Sequence, residues 1–182
     1  MLFTIGHSNH TLDKFIELLK YHNIRSVFDV RSAPYSRWVP HFNQRSLAST
    51  LQEYGIFYKH IPELGGRPQL PHLYPNGHIS YELYIKEPLF LKNIKNLLSF
   101  SGDMVVIMCS EGDPLVCHRG LLISPILNTY GEQVIHILSD GSLEDYQQSR
   151  LRLIRETKAH SAEEAFKSRW KTIEKKVKLS TK

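Results

Sequence analysis

Short apolar runs alternate along the chain with segments whose apolar residues recur at helical spacing. Five runs are typical of β-strands, at residues 2–5, 27–30, 56–60, 104–108 and 134–138. The segments between them favour amphipathic helices, as where Leu12, Phe15 and Leu19 fall on one face. Because alternating strands and helices favour parallel pairing, the sequence predicts a three-layer α/β fold with a mainly parallel sheet of about five strands.

In the C-terminal part of the chain the pattern differs, because apolar residues recur only at helical spacing and form no strand-like run. We therefore predict an α/β domain over residues 1–142 and a helical, basic extension over 143–182, packed on that domain or trailing from it. A capping box at Ser161–Glu164 predicts a last helix over 162–176. Residues 150–182 contain eleven Lys and Arg against four Glu. That excess either attracts polyanions or forms a solvated helix face.

Polar side chains follow the apolar runs directly. The carboxyl ends of parallel strands share one edge of a sheet, and ligands of open α/β sheets bind there. The sequence therefore predicts one pocket at this edge. The candidate catalytic residues are His7, Asp29, Glu111 and Cys117. The candidate substrate-binding residues are Ser8, Arg31, Ser36, Arg37, Asn43, Gly65, Gly66, Arg67, Cys109, His118 and Arg119.

Composition narrows the class of protein. The 182 residues are 41% hydrophobic and 23% charged, as in a globular domain, with a formal net charge of +5. The first residues lack the pattern of a signal peptide, and no apolar run approaches the roughly 20 residues that span a bilayer. Two cysteines are too few for a disulfide scaffold. We expect a soluble cytoplasmic protein with reduced thiols and no membrane partner; the oligomeric state stays open.

Six short motifs, in this order, resemble those of a bacterial and archaeal family called domain of unknown function 488. They are Thr4–Ser8, Asp29–Arg31, Phe42–Asn43, Leu64–Gly66, Cys109–Glu111 and Cys117–Arg119. The resemblance covers about residues 2–141 and excludes the basic segment after Arg150. It implies an α/β fold with a shared pocket at these motifs, and it implies no established activity.

The two cysteines offer thiol or metal chemistry. Cys117 precedes a predicted helix and is followed by His118 and Arg119, and both features favour a thiolate. Cys109 ends a buried strand, where an apolar role is equally compatible. Both cysteines, with His7, His118 and Glu111, are potential zinc ligands. Their spacing of eight is not that of a zinc finger, but a catalytic site can collect ligands from separate strands. We assign no metal, the question of an ion near Cys109, Cys117 and His118 stays open, and the sequence specifies no cofactor.

Arginines and aromatic residues suggest an anionic partner. Arg31, Arg37, Arg67 and Arg119 lie on the predicted pocket side, and a guanidinium suits phosphate. Nearby aromatic side chains such as Trp38 either stack on a base or anchor a loop to the core. The leading hypothesis is an enzyme acting on a phosphate-bearing substrate, a nucleotide or nucleic acid. The alternatives are a non-catalytic nucleic-acid or regulatory binding module and a thiol-redox protein using Cys117.

Overall fold

The structure is a computed structural model that describes residues 1–179. Its centre is a six-stranded sheet with the strand order β3-β2-β4-β1-β5-β6. The strands are β1 (Leu2–Gly6), β2 (Ser26–Asp29), β3 (Phe57–His60), β4 (Val105–Cys109), β5 (Val134–Ile137) and β6 (Leu143–Asp145). The helices are α1 (Leu12–Tyr21), α2 (Gln44–Glu53), α3 (Tyr81–Tyr84), α4 (Pro88–Leu98), α5 (Ser124–Thr129), α6 (Tyr146–Thr157) and α7 (Ala162–Glu174).

The predicted α/β fold is confirmed, and the sheet is larger by one strand. Strands β1 to β5 pair in parallel, and β6 pairs antiparallel with β5. The prediction of an entirely helical segment after residue 142 is therefore wrong at its start. Strand β6 has three residues and only Leu143 is apolar, so it carries no alternation that reveals a strand.

Helices cover both faces of the sheet because alternate side chains of each strand point to opposite faces. On one face, Val106 and Met108 of β4 pack with the apolar sides of α1 and α2. On the other face, Val105 and Ile107 join a larger core that includes α4 and α5. Strand β4 is fully buried, as its continuous apolar sequence predicts.

An irregular helix follows the central strand. A π-helical turn over Arg119–Ile123 leads into α5. Pro125 has no N–H and cannot donate to the carbonyl of Leu121 one turn earlier. That carbonyl accepts a hydrogen bond from Nε1 of Trp170 in α7, at 3.1 Å. The break in the helix is thus one point at which the C-terminal segment docks.

The C-terminal segment also completes the core beside α3. The amide of Ile79 donates to the carbonyl of Val177 at 3.1 Å, and Val177 is buried. A carboxylate oxygen of Glu174 accepts from the amide of Tyr81 at 2.7 Å. The end of α7 and the residues after it therefore pack on the α/β layers. Within residues 1–179, no helix has both the length and the apolar character needed to cross a membrane.

Candidate functional site

A cavity of about 270 Å³ lies at the carboxyl ends of β2 and β4. The predicted site residues that line it are Arg31, Gly66, Arg67, Cys109, Glu111, Cys117 and His118. Ser32, Ser110 and Tyr81 add hydroxyl groups to its wall, and Ile173 and Val177 close one side. The shared edge of the parallel strands, as predicted, brings together residues that are more than seventy positions apart in the sequence, such as Arg31 and Glu111.

Two cysteines, a histidine and a carboxylate meet at the floor of this cavity. The sulfur of Cys109 lies 2.6 Å from Oε2 of Glu111. The sulfur atoms of Cys109 and Cys117 are 2.50 Å apart, within reach of a disulfide, which departs from the expectation of two independent reduced thiols. Nδ1 of His118 lies 3.7 Å from the sulfur of Cys117 and 4.0 Å from that of Cys109.

The ring of His118 is held in a narrow slot. Its Nε2 pairs with the carbonyl oxygen of Val30 at 3.1 Å, and burial lowers the pKa of the ring. A Cβ on Gly66 would lie 2.9 Å from Nδ1, so a side chain there would displace the ring. A Cβ on Gly65 would lie 2.3 Å from Oγ of Ser32. The two glycines, predicted to bind substrate, allow this close backbone approach.

A buried ion pair forms the neighbouring wall. Arg31 donates to both carboxylate oxygens of Asp29, with Nη2 2.6 Å from Oδ2, and to the carbonyl of Phe42 at 2.8 Å. Nη1 of Arg31 pairs with Nε2 of His7 at 3.2 Å. Burial and, after it, the charge of Arg31 lower the pKa of His7 to about 4. Because these contacts occupy its nitrogens, the guanidinium of Arg31 lines the cavity but is not free to bind an anion.

The guanidinium of Arg119 likewise forms its hydrogen bonds within the protein. Arg119 is completely buried, and its guanidinium donates to the backbone carbonyls of Glu111 and Gly112, the latter at 2.8 Å. Burial lowers its pKa to about 10. A Cβ on Gly6 would lie 1.7 Å from the carbonyl oxygen of Glu111, so only glycine fits at the end of β1. Arg119 therefore holds the turn that carries Glu111.

Other predicted site residues lie outside this cavity. The side chain of Asn43 makes no capping hydrogen bond to α2; it accepts from the amide of Ser36 at 2.6 Å and orders the loop before that helix. Arg37 stacks on Trp38, whose side chain is 80% exposed. Ser8 has a φ of 49° and follows β1. None of these four predicted residues, nor His7 or Asp29, is among those that line the cavity.

The structure also adds residues that sequence reasoning missed. Tyr81 lies in a helix of only four residues, and within residues 1–179 its hydroxyl makes no hydrogen bond. Ile173 and Val177 have the spacing of ordinary core positions, so nothing in their pattern distinguishes a cavity wall from a core contact. A tyrosine directly after a long Pro- and Gly-rich loop was the one available signal for Tyr81.

Comparison with known families decides the relationship. The model of the family described as "Domain of unknown function DUF488" matches residues 11–126. The chain belongs to this family. The DUF488 match contains the whole Cys109–Arg119 turn, whereas β1 with His7 and Ser8 precedes it and α6 and α7 follow it. No curated protein matches the chain, and no solved structure matches it either.

The DUF488 region carries the polar part of the cavity, and Ile173 in α7 and Val177 after it form an apolar wall. A carboxylate, a thiol pair and an imidazole at one floor can bind a cation, transfer protons or exchange disulfides. Family membership brings no activity with it, so the choice among these chemistries depends on the geometry of this chain.

Proposed function

We propose that the protein is an enzyme that acts on a phosphate-bearing substrate, a nucleotide or nucleic acid, in the cavity at the ends of β2 and β4. The observation that carries the proposal is the side chain of Arg67, which lines the cavity and is exposed. Within residues 1–179 its guanidinium has no ion-pair partner, in contrast to those of Arg31 and Arg152. A free guanidinium is suited to a phosphate group.

Each remaining polar group of the cavity has a role in this proposal. The Glu111 carboxylate, exposed at the cavity and a few ångströms from the imidazole of His118, serves as the general base. The free hydroxyl of Tyr81 orients the substrate. Arg119 is a positioning residue, because it fixes the turn on which Glu111 stands.

A second candidate is thiol–disulfide exchange, since both Cys109 and Cys117 line the cavity. In that reaction Cys109 and Cys117 would give two electrons and two protons to a disulfide substrate and would themselves form a disulfide. Their Cα atoms are 7.7 Å apart, whereas disulfides need about 4.4–6.8 Å. Closing an undistorted bridge therefore requires the backbone to move, which makes this candidate the weaker one.

The test compares phosphate recognition with turnover. Binding of nucleoside mono- and triphosphates and of a short single-stranded oligonucleotide is measured by calorimetry, and hydrolysis is followed as released phosphate or cleaved strand. We expect Arg67→Gln to weaken binding by roughly 10- to 150-fold, since a charged hydrogen bond contributes about 1.5–3 kcal/mol. Arg45→Gln, an exposed arginine outside the cavity, is the matched control and should bind as the wild type does.

The role of Glu111 is tested by Glu111→Gln, which should keep binding and lower turnover by roughly 10²–10⁴-fold. Binding without any turnover in the wild type would identify the non-catalytic binding module in place of the enzyme. Absence of both binding and turnover with these phosphates would refute the proposal. Turnover of a disulfide substrate that is lost in Cys117→Ser would establish the thiol candidate.

A further inference from the structure

The cluster at the cavity floor offers four ligand groups to one point. One ligand atom each from Cys109, Glu111, Cys117 and His118 lies within 4.8 Å of every other. The main chain delivers them from the end of β4, the turn after it and the two residues before the π-helical turn. Atoms within this distance of one another can all reach a single four-coordinate ion, whose ligand distances are about 2.0–2.3 Å.

The orientation of His118 is that of a metal-binding histidine. Its Nε2 faces the carbonyl oxygen of Val30 at 3.1 Å, and a carbonyl oxygen can only accept. The Nε2 atom must therefore carry the proton, which leaves the lone pair on Nδ1. Nδ1 is the atom that faces both sulfurs. A backbone carbonyl behind the distal nitrogen is the usual outer partner of histidines bound to metal.

The surroundings of the sulfurs suit thiolates. The backbone amide of Arg119 lies 3.4 Å from the sulfur of Cys117, and Nη1 of the same residue lies 3.8 Å from that of Cys109. Both groups are N–H donors directed at sulfur. Two thiolates and the Glu111 carboxylate carry three negative charges, which one divalent ion and the buried Arg119 guanidinium would neutralise.

We propose that Cys109, Cys117 and His118 bind one divalent transition-metal ion of the zinc class, with Glu111 completing the tetrahedron from the open side of the cavity. Thiolate and imidazole ligands select such ions over magnesium or calcium, which take oxygen ligands. This inference departs from our sequence analysis, which assigned no metal. The sequence indicated these residues as potential zinc ligands, but their spacing along the chain could not show that the ring of His118 and the carboxylate of Glu111 meet the two sulfurs.

The position of Glu111 gives the site an exchangeable corner. Both cysteines are buried and His118 is half-buried, whereas Glu111 is exposed at the cavity. A substrate oxygen can replace the carboxylate there without disturbing the other three ligands, as in zinc sites that keep an open position. The ion would also offset the negative charge of the carboxylate that the cavity floor presents to an anionic substrate. The metal site itself does not depend on the phosphate proposal.

The experiment measures metal binding without any substrate. Full-length protein is reduced with a phosphine, stripped with a chelator and titrated with Zn²⁺ and, separately, with Co²⁺. We expect one equivalent of either ion, a cysteine-to-cobalt charge-transfer band and the intense visible bands of tetrahedral cobalt. X-ray absorption at the zinc edge should show two sulfur ligands at about 2.3 Å and nitrogen or oxygen ligands at about 2.0–2.1 Å.

Variants assign the ligands. Cys117→Ser should abolish stoichiometric binding, and Glu111→Gln should keep one equivalent with roughly 10-fold or more lower affinity, since only the exposed corner is weakened. His118→Gln should lose binding, while His72→Gln, which replaces an exposed histidine outside the cluster, should not. Should a variant fail to fold, the cobalt spectrum of the wild type still decides whether thiolates bind the ion.

Three results would overturn the inference. One is less than stoichiometric Zn²⁺ binding by reduced wild type. Another is a cobalt spectrum without the charge-transfer band. The third is formation of a Cys109–Cys117 disulfide, detected as a loss of two mass units, at the same rate with and without zinc, because coordinated thiolates are protected from oxidation. Failure of phosphate binding with intact metal binding would instead refute the proposed function alone.

Discussion

The buried pair of Asp29 and Arg31 makes a quantitative prediction about stability. Asp29 is completely buried, and Arg31 is 6% exposed. Removing one partner of such a pair leaves the other charge buried and uncompensated, which costs about 3–5 kcal/mol. We therefore expect Asp29→Ala to lower the free energy of unfolding by about that amount and the Tm by roughly 6–20 °C, at about 2–4 °C per kcal/mol for a chain of this size.

Two further variants make the prediction a graded series. Tyr58→Phe removes one hydroxyl that donates to Oδ2 of Asp29 at 2.6 Å, and should cost about 1.5–3 kcal/mol. Lys167→Ala breaks an ion pair to Glu163 of similar length, 2.7 Å, between exposed side chains, and should cause no measurable change. Urea unfolding at pH 7 measures all three. If Asp29→Ala is no more destabilising than Lys167→Ala, the argument from buried charge is wrong.

Three more predictions follow from other parts of the structure. Gly6→Ala should destabilise by roughly 1–3 kcal/mol or more in thermal unfolding, because its Cβ would meet the backbone of Glu111 at 1.7 Å; an unchanged Tm would contradict this. Burial lowers the pKa of His136 to about 3, so the folded chain stays neutral there while the unfolded chain binds a proton below about pH 6.5. Stability should therefore fall as the pH drops from 6.5 towards 3, by up to about 1.4 kcal/mol per pH unit, and His136→Asn should give a shallower slope in urea unfolding at pH 7, 6 and 5; equal slopes would refute it. Replacing three exposed lysines with glutamine should reduce the salt dependence of DNA binding by about 2–3 in the log–log slope, and an unchanged slope would exclude this segment from the contact. These lysines are Lys171, Lys175 and Lys176.

The sequence predicts the α/β fold of this protein well because the strands and helices follow from the local pattern of apolar residues. Five strands are visible as apolar runs, and the edge at which Cys109 and Arg31 meet follows from parallel pairing alone. Strand β6 was not predicted because it contains one apolar residue, Leu143, and is recognisable only through its pairing with β5. The family resemblance, carried by ordered motifs, is confirmed over most of its predicted length.

The roles of individual side chains could be predicted from the sequence much less well. Whether an arginine is free to bind an anion depends on which carbonyls surround it, and those of Phe42 and Gly112 come from loops whose course the pattern does not specify. The docking of α7 could not be predicted for a similar reason. Trp170 donates to the carbonyl of Leu121, to which Pro125, four residues further along, cannot donate. The periodicity of apolar residues carries no information about such a contact.

The position of β4 within the sheet has a consequence for the order in which the protein can form. This strand lies between β1 and β2, which precede it by about a hundred and about eighty residues. While the chain is being synthesised, the N-terminal half therefore has two strands, β1 and β2, that are not neighbours in the sheet, and the edges that face β4 stay open until Cys109 has emerged. Contacts of such long sequence separation slow folding and leave unpaired edges open to association. The segment that bears the cysteines is thus also the one whose arrival joins β1 to the β2–β3 pair.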